Sequence, residues 1–110
     1  MSFGDIFADS VTDKSQADGA QTITLEGADR FRKHQIQIVP SATPSAGTLA
    51  VAIKTPGASA FVTLPDSIDM TDTDQHVMQF DGWAAEIRFT PSSFDAAKTY
   101  SVYLVSGAAS

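Results

Sequence analysis

The chain has 110 residues, of which 43% are hydrophobic and 18% charged, with a net charge of -6 at pH 7 and no cysteine. This length is typical of one domain with one hydrophobic core, and the lack of cysteine excludes disulfide scaffolds, thiol nucleophiles and cysteine-ligated zinc. The acidic balance and the lack of an apolar run of about 18 residues argue against binding to nucleic acid or to a membrane.

Residues 1–20 are predicted to form an N-terminal arm outside the main domain. Their apolar residues, at the spacing of one short helical face, are Phe3, Ile6, Phe7 and Val11. Residues 13–20 are small or polar, and such a segment buries too little apolar surface to become ordered by itself. We expect the apolar residues to anchor the arm on a neighbouring subunit. The alternative is that they cap the sandwich of their own subunit.

From Gln21 onward, apolar and polar residues alternate as in strands with one buried face. Seven or eight short strands are predicted, separated by turns rich in Pro, Gly and Asp. The main segments are QTITLE, HQIQIVP, TLAVAIK, AFVTL, HVMQF, WAAEIRFT and TYSVYLVS. We therefore predict an all-β protein in which residues 21–110 form an antiparallel β-sandwich of the jelly-roll or immunoglobulin-like type. A small closed barrel would give nearly the same strands.

Three details of this pattern concern burial and turns. Asp81-Gly82 is the strongest hairpin signal, because both residues tolerate the positive φ of tight turns. Trp83 and Tyr100 alternate with the apolar residues of their strands and are predicted to be buried. In TLAVAIK, the small residues Ala50 and Ala52 predict a second face covered by another surface.

Two groups of exposed residues are candidates for contacts with a partner. Tyr103 alternates away from the buried side, where an aromatic ring can contact a protein or a sugar. The basic residues at one strand entry are Arg30, Arg32 and Lys33. We interpret them as charges that block edge pairing, with a salt-bridged subunit contact as the second interpretation.

No arrangement in the sequence is typical of an enzyme. The two histidines are His34, expected at a solvated strand edge, and His76, and neither belongs to a known catalytic motif. The aspartates of the acidic segment are Asp66, Asp69, Asp72 and Asp74. They lack the glycine and glutamate of a calcium loop, and we interpret them as solvated. We predict no catalytic residue, metal or other cofactor.

The segment from Phe31 to Gly107 resembles small β-sandwich structural proteins of tailed bacteriophages. The resemblance lies in the order of FRKHQIQIVPSATPSAGTLAVAIKTPGA, FDGWAAEIRFTPSSFD and the closing strand KTYSVYLVSG. It implies a head decoration or cement protein, or a tail-associated protein of the virion, that acts by binding and not by chemistry. It assigns no role to any single residue.

The sequence thus predicts a virion protein, assembled in the bacterial cytoplasm, that binds the major capsid protein or another virion protein at capsomer junctions. The resemblance to decoration proteins of this size, which are commonly trimers, favours a homo-oligomer. Among homo-oligomers it favours a trimer. The alternative is a glycan-binding or receptor-binding module. The predicted protein-binding residues are Phe3, Ile6, Phe7, Val11, Arg30, Arg32, Lys33 and Tyr103.

Overall fold

A computed structural model describes residues 6–26 and 31–107, in which eight strands form two antiparallel four-stranded sheets. The strands are β1 (Ile6–Lys14), β2 (Gln21–Thr24), β3 (Lys33–Pro40), β4 (Thr48–Lys54), β5 (Val62–Asp69), β6 (Val77–Asp81), β7 (Glu86–Ser92) and β8 (Tyr100–Gly107). The predicted antiparallel β-sandwich is confirmed. Two short 3-10 helices, Gln16–Asp18 and Thr73–Gln75, lie in connections. Among the described residues, no helix has the length and hydropathy needed to cross a membrane.

The strand pairing is that of a jelly roll. β1 pairs with β8, β2 with β7, β3 with β6 and β4 with β5, so the first four strands pair with the last four in reverse order. The pairs β3–β8 and β4–β7 complete a front sheet, β1-β8-β3-β6, and a back sheet, β2-β7-β4-β5. Of the two types predicted, the structure is therefore the jelly roll, which is a long hairpin wrapped into two sheets.

The turn at Asp81-Gly82 does not close the predicted hairpin. The preceding strand β6 belongs to the front sheet and the following strand β7 to the back sheet. Gly82 has a φ of 129°, so the local signal for a turn is correct. The Gly82 amide donates to the Arg32 carbonyl at 2.7 Å, which ties this turn to the entry of β3. The dipeptide Asp81-Gly82 favours the backbone angles of a turn. Which strands pair is decided instead by the burial of the inner sides of both sheets.

The segment predicted as an arm contains an edge strand of the front sheet. In β1, Ile6 lies opposite Gly107 and Val11 opposite Val102 of β8. The prediction of a helical face is therefore wrong for residues 6–14, which pair with β8 as a strand of the sandwich. Phe7 and Val11 are partly buried against the core. Because they are four residues apart, they share one side in a helix and in a strand alike, and their spacing could not separate the two.

The core lies between the two sheets and is built from alternate residues of the strands. The buried residues that the four central strands contribute are Ile36, Ile38, Leu49, Val51, Ile87, Phe89, Val102 and Leu104. Tyr100 is buried, as predicted, and its ring meets that of Phe94 edge-on with 5.5 Å between the centroids. These residues are the ones that the period of two selected, because a strand in a sandwich buries every second side chain.

Trp83 is 43% exposed, so its predicted burial is wrong. Strand β7 begins only at Glu86, and Trp83 lies in the connection between the sheets, where the alternation does not apply. The Arg32 guanidinium lies 5.1 Å from the centre of the Trp83 ring. This cation–π contact places one of the predicted basic residues beside the exposed ring.

The alanine side of β4 is partly covered by side chains of the same chain. Ala52 is only 4% exposed and lies opposite Arg88 of β7. The Arg88 guanidinium lies 4.3 Å from the centre of the Phe61 ring, and the Lys54 ammonium 5.5 Å from it. The outer side of the back sheet is therefore partly closed by an intramolecular cation–π cluster.

Gly47 is the glycine at which a side chain should cost most. Its φ is 141°, and an added Cβ would lie 3.0 Å from Phe94 Cδ1 and 3.3 Å from Met70 Sδ. We expect Gly47→Ala to lower the free energy of unfolding by about 2–3 kcal/mol, through positive φ and overpacking together. Urea unfolding checks this value. The control is Gly57→Ala, which has a φ of 87° but open space around the Cβ, and should cost about 1 kcal/mol.

Candidate functional site

The outward side chains of the front sheet form one surface, which we term the docking face. The strand register arranges them in cross-strand rows, each running from β1 through β8 and β3 to β6. The rows are Ile6, Gly107, Lys33 and Asp81; Ala8, Val105, Gln35 and Gln79; and Ser10, Tyr103, Gln37 and Val77. Val39 and Ser101 extend the face on β3 and β8.

Exposed apolar side chains are concentrated on the docking face. Seven large apolar side chains of the described residues are exposed, and five of them lie here. The five are Ile6, Val39, Val77, Tyr103 and Val105. Tyr103 and Val105, at the centre, are 46% and 47% exposed. Clusters of exposed apolar groups mark surfaces that bind a partner, because their hydration is unfavourable.

The docking face has no net charge, although the chain carries -6. Its outward residues include one cation and one anion, Lys33 and Asp81, which lie opposite each other in one row. The amides of Gln35 and Gln79 are joined by a hydrogen bond, with Gln79 Nε2 donating to Gln35 Oε1 at 2.8 Å. Asp9 borders the face at the β1 edge. A surface rich in aliphatic groups, tyrosine and amides, and poor in charge, has the composition of an interface core.

Two shallow depressions interrupt the face. One, of about 290 Å³, lies beside Gly107, where the row lacks a side chain between Ile6 and Lys33. The other, of about 410 Å³, lies between β1 and the ring of Tyr103 and is bordered by Asp9 and Ser10. Depressions of this size accept individual side chains of a partner.

The structure brings together three of the predicted binding residues and separates the others. Ile6, Lys33 and Tyr103 lie on the docking face. Phe7 and Val11 point to the core side of β1. Arg32 lies outside the face, beside Trp83. Phe3 and Arg30 fall outside the described residues.

Sequence analysis missed Val39, Val77 and Val105 on this face. Each is an apolar residue at an outward position of a strand whose alternation the sequence shows. An apolar residue where the period of two predicts a polar one is the signal that could have found them. Only the register of four strands, however, places them beside one another.

A buried histidine supports the end of the sheet behind the docking face. His34 is 3% exposed, so its predicted place at a solvated edge is wrong. Its Nδ1 lies 2.7 Å from the Ser106 hydroxyl and its Nε2 2.8 Å from the Gly82 carbonyl. A carbonyl can only accept, so Nε2 donates and Nδ1 accepts from the hydroxyl. The ring also stacks on Phe80 at 4.9 Å. His34 thereby joins β3, β8, β6 and the turn between the sheets.

Burial lowers the pKa of His34 below its usual 6.5, more than the Gly82 carbonyl and Asp81 raise it. As the pH falls, the unfolded chain binds this proton before the folded protein does. Stability is therefore complete above the unfolded pKa of 6.5 and falls as the pH drops below it, until the folded pKa is reached. We expect urea unfolding to show this loss as the pH falls below about 6.5, and we expect His34→Gln to abolish the slope. A slope that persists in His34→Gln but disappears in His76→Gln would contradict the assignment.

Two aspartates of the acidic segment, Asp69 and Asp72, hold a turn. Asp69 accepts hydrogen bonds from the Thr71 hydroxyl at 2.7 Å and its amide at 3.0 Å, which lowers the pKa of the Asp69 carboxyl. Asp72 accepts from the Asp74 amide at 3.0 Å and caps the 3-10 helix Thr73–Gln75. These carboxylates therefore have a local structural role, that of capping turn amides.

No family model and no curated protein sequence matches this chain. Solved structures with a similar fold include the SPBc2 prophage-derived protein YomS, with a TM-score of 0.57 and 13% identity over 96% of this chain and 97% of that protein. The Yersinia pseudotuberculosis-derived mitogen has a TM-score of 0.53 and 9% identity over 94% of this chain and 86% of the mitogen. A third is the C-terminal domain of A223, a structural protein of Sulfolobus turreted icosahedral virus. Its TM-score is 0.42, with 14% identity over 94% of this chain and 95% of that domain.

The similarity to YomS and to the mitogen shows the fold alone, since both identities are far below the level that indicates common function. The chain is a small jelly-roll β-sandwich. What it does must be argued from its own surface.

Proposed function

We propose that this protein is a non-enzymatic structural protein of a bacteriophage particle, a decoration or cement protein of the head that acts by protein contact. The observation that carries the proposal is the docking face, a surface without net charge that has Tyr103 and Val105 at its centre. A rigid sandwich holds these side chains in fixed positions, which reduces the entropy lost on binding. The resemblance to phage virion proteins supplies the context in which such a surface works.

The chemistry of the histidines supports a binding role over a catalytic one. Both ring nitrogens of His34 are engaged, by Ser106 and by the Gly82 carbonyl, and its ring is buried. The Nε2 of His76 is bound to the Met70 carbonyl at 2.9 Å. A general base needs a ring nitrogen within reach of a substrate proton, and these hydrogen bonds direct both nitrogens of His34 and the Nε2 of His76 into the protein.

The proposed partner is the major capsid protein, or another virion protein, at junctions between capsomers. The proposed location is the virion, after assembly in the bacterial cytoplasm. Cosedimentation with purified heads and tails of the parent particle tests this function. We expect the protein to pellet with heads and to remain in the supernatant without them. Binding to tails alone would move the role to the tail, and binding to neither would contradict the proposal.

A glycan-binding or receptor-binding module is the second candidate, and the specific observation for it is Tyr103 beside the depression bordered by Asp9 and Ser10. An exposed aromatic ring next to hydrogen-bonding groups can stack on a sugar ring. A glycan array separates the two functions. Binding to one glycan class that Tyr103→Ala abolishes, with no binding to heads, would establish this second candidate in place of the first.

A further inference from the structure

We propose that the docking face binds a second copy of this chain, front sheet against front sheet, in a two-fold dimer. This inference shares one premise with the proposed function, namely that the docking face is a contact surface. It adds that the partner on this face is a second copy of the chain. A cement protein has to join neighbouring positions of a shell. Copies that bind each other through one face and the shell through the rest of their surface would do so.

The charge distribution favours a second copy as the occupant. Two chains that each carry -6 repel one another over most of their surface. This repulsion is small on the docking face, because its outward charges are one Lys33 and one Asp81. Acidic residues lie at its borders, with Asp9 beside β1 and Asp74 in a depression that Val77 also lines. Like chains can therefore meet at the centre of the front sheet, where Tyr103, Val105 and the neighbouring glutamines carry no charge.

The groups on the face suit contact with an identical surface. Tyr103 and Val105 supply apolar area at the centre. The hydrogen bond between Gln79 and Gln35 uses one donor and one acceptor, and it leaves the Gln35 amide nitrogen and the Gln79 carbonyl oxygen for a partner. A copy of the same face offers complementary acceptors and donors, since each amide has both.

The size of the face is sufficient for a dimer of moderate affinity. Four strands about 4.8 Å apart, and about seven residues of about 3.4 Å each, define roughly 450 Å² per copy. Two such faces bury about 1,000 Å² in total once side-chain relief is included, which is the lower end for a specific interface. We therefore expect a dimer with a dissociation constant on the order of micromolar.

The geometry of one face favours a two-fold pair over the trimer that sequence analysis favours. A two-fold contact uses the same surface on both copies, whereas a closed trimer needs two different surfaces that fit each other. The five exposed apolar side chains on the docking face supply a single surface that can meet its own copy. Residues at its centre, such as Val105, meet the central residues of the second copy.

Sedimentation equilibrium of the purified full-length chain, without capsids, tests the inference. The expected mass rises with concentration from 11.6 kDa to twice that value, with a midpoint on the order of micromolar. A mass that stays at one chain up to about 500 μM, or one that rises to three chains, would overturn it. Loss of head binding with the dimer intact would reject the proposed function and leave this inference standing. Head binding by a protein that stays monomeric would reject this inference and leave the proposed function standing.

Charge variants at Val105 test the face and its symmetry together. We expect Val105→Asp and Val105→Lys each to weaken self-association at least about a hundredfold, because like charges meet across the two-fold axis. An equimolar mixture of the two should recover dimers through opposite charges. The matched control is Val62→Asp on β5, which is 68% exposed but lies outside the face and should dimerise as the wild type does. Equal loss in the Val62 variant, or no recovery in the mixture of folded proteins, would count against the two-fold contact.

Discussion

Deletion of residues 1–12 is expected to lower the free energy of unfolding by about 4 kcal/mol or more, which is a large part of the roughly 5–15 kcal/mol that stabilises a domain of this size. β1 pairs with β8 from Ile6–Gly107 to Val11–Val102, so the deletion removes an entire edge of the front sheet. It also removes the partly buried Phe7 and Val11, each worth about 1.5–3 kcal/mol when fully buried. Urea unfolding followed by circular dichroism measures the loss.

Two point variants separate the strand from a detached arm. Phe7→Ala should cost about 1.5–3 kcal/mol, because its ring packs at 6.0 Å from that of Phe31. Ile6→Ala, on the same strand but 64% exposed, should change stability by less than about 0.5 kcal/mol. A shortened protein that keeps its melting temperature and loses only assembly would instead show that these residues form an arm.

Replacing His34 by alanine is expected to cost about 3–5 kcal/mol. The substitution removes a buried ring and leaves the Ser106 hydroxyl and the Gly82 carbonyl without their partner. It also removes the stack on Phe80 and leaves a cavity between β3, β6 and β8. The loss should appear in both thermal and urea unfolding at pH 7.5, where His34 is neutral.

The matched control for His34→Ala is His76→Ala. His76 is less buried and makes one hydrogen bond, to the Met70 carbonyl, so its removal should cost only about 1 kcal/mol. Equal losses in the two variants would contradict the role assigned to the buried ring. His34→Leu should recover part of the packing but not the two hydrogen bonds, and should fall between the wild type and His34→Ala.

The period of two was sufficient to predict the interior of the sandwich. In β3 and β8, alternate residues such as Ile36, Ile38 and Leu104 are buried, and Tyr103 is exposed as the pattern predicts. Central strands bury one complete side, so apolar and polar residues alternate strictly along them. This alternation can be recognised in a single sequence. The edge strand β1 buries only part of one side, and its pattern was therefore too weak to distinguish from a short helix.

The sequence by itself determined the all-β class, the central strands and most of the core, because these depend on which side of a strand is buried. The tertiary structure alone decided that β6 and β7 lie in different sheets, that β1 pairs with β8 and that His34 is buried. It also decided the docking face, whose members come from four strands separated in sequence. Strand pairing depends on the closing of the long hairpin around one core, and no local pattern of residues carries that information.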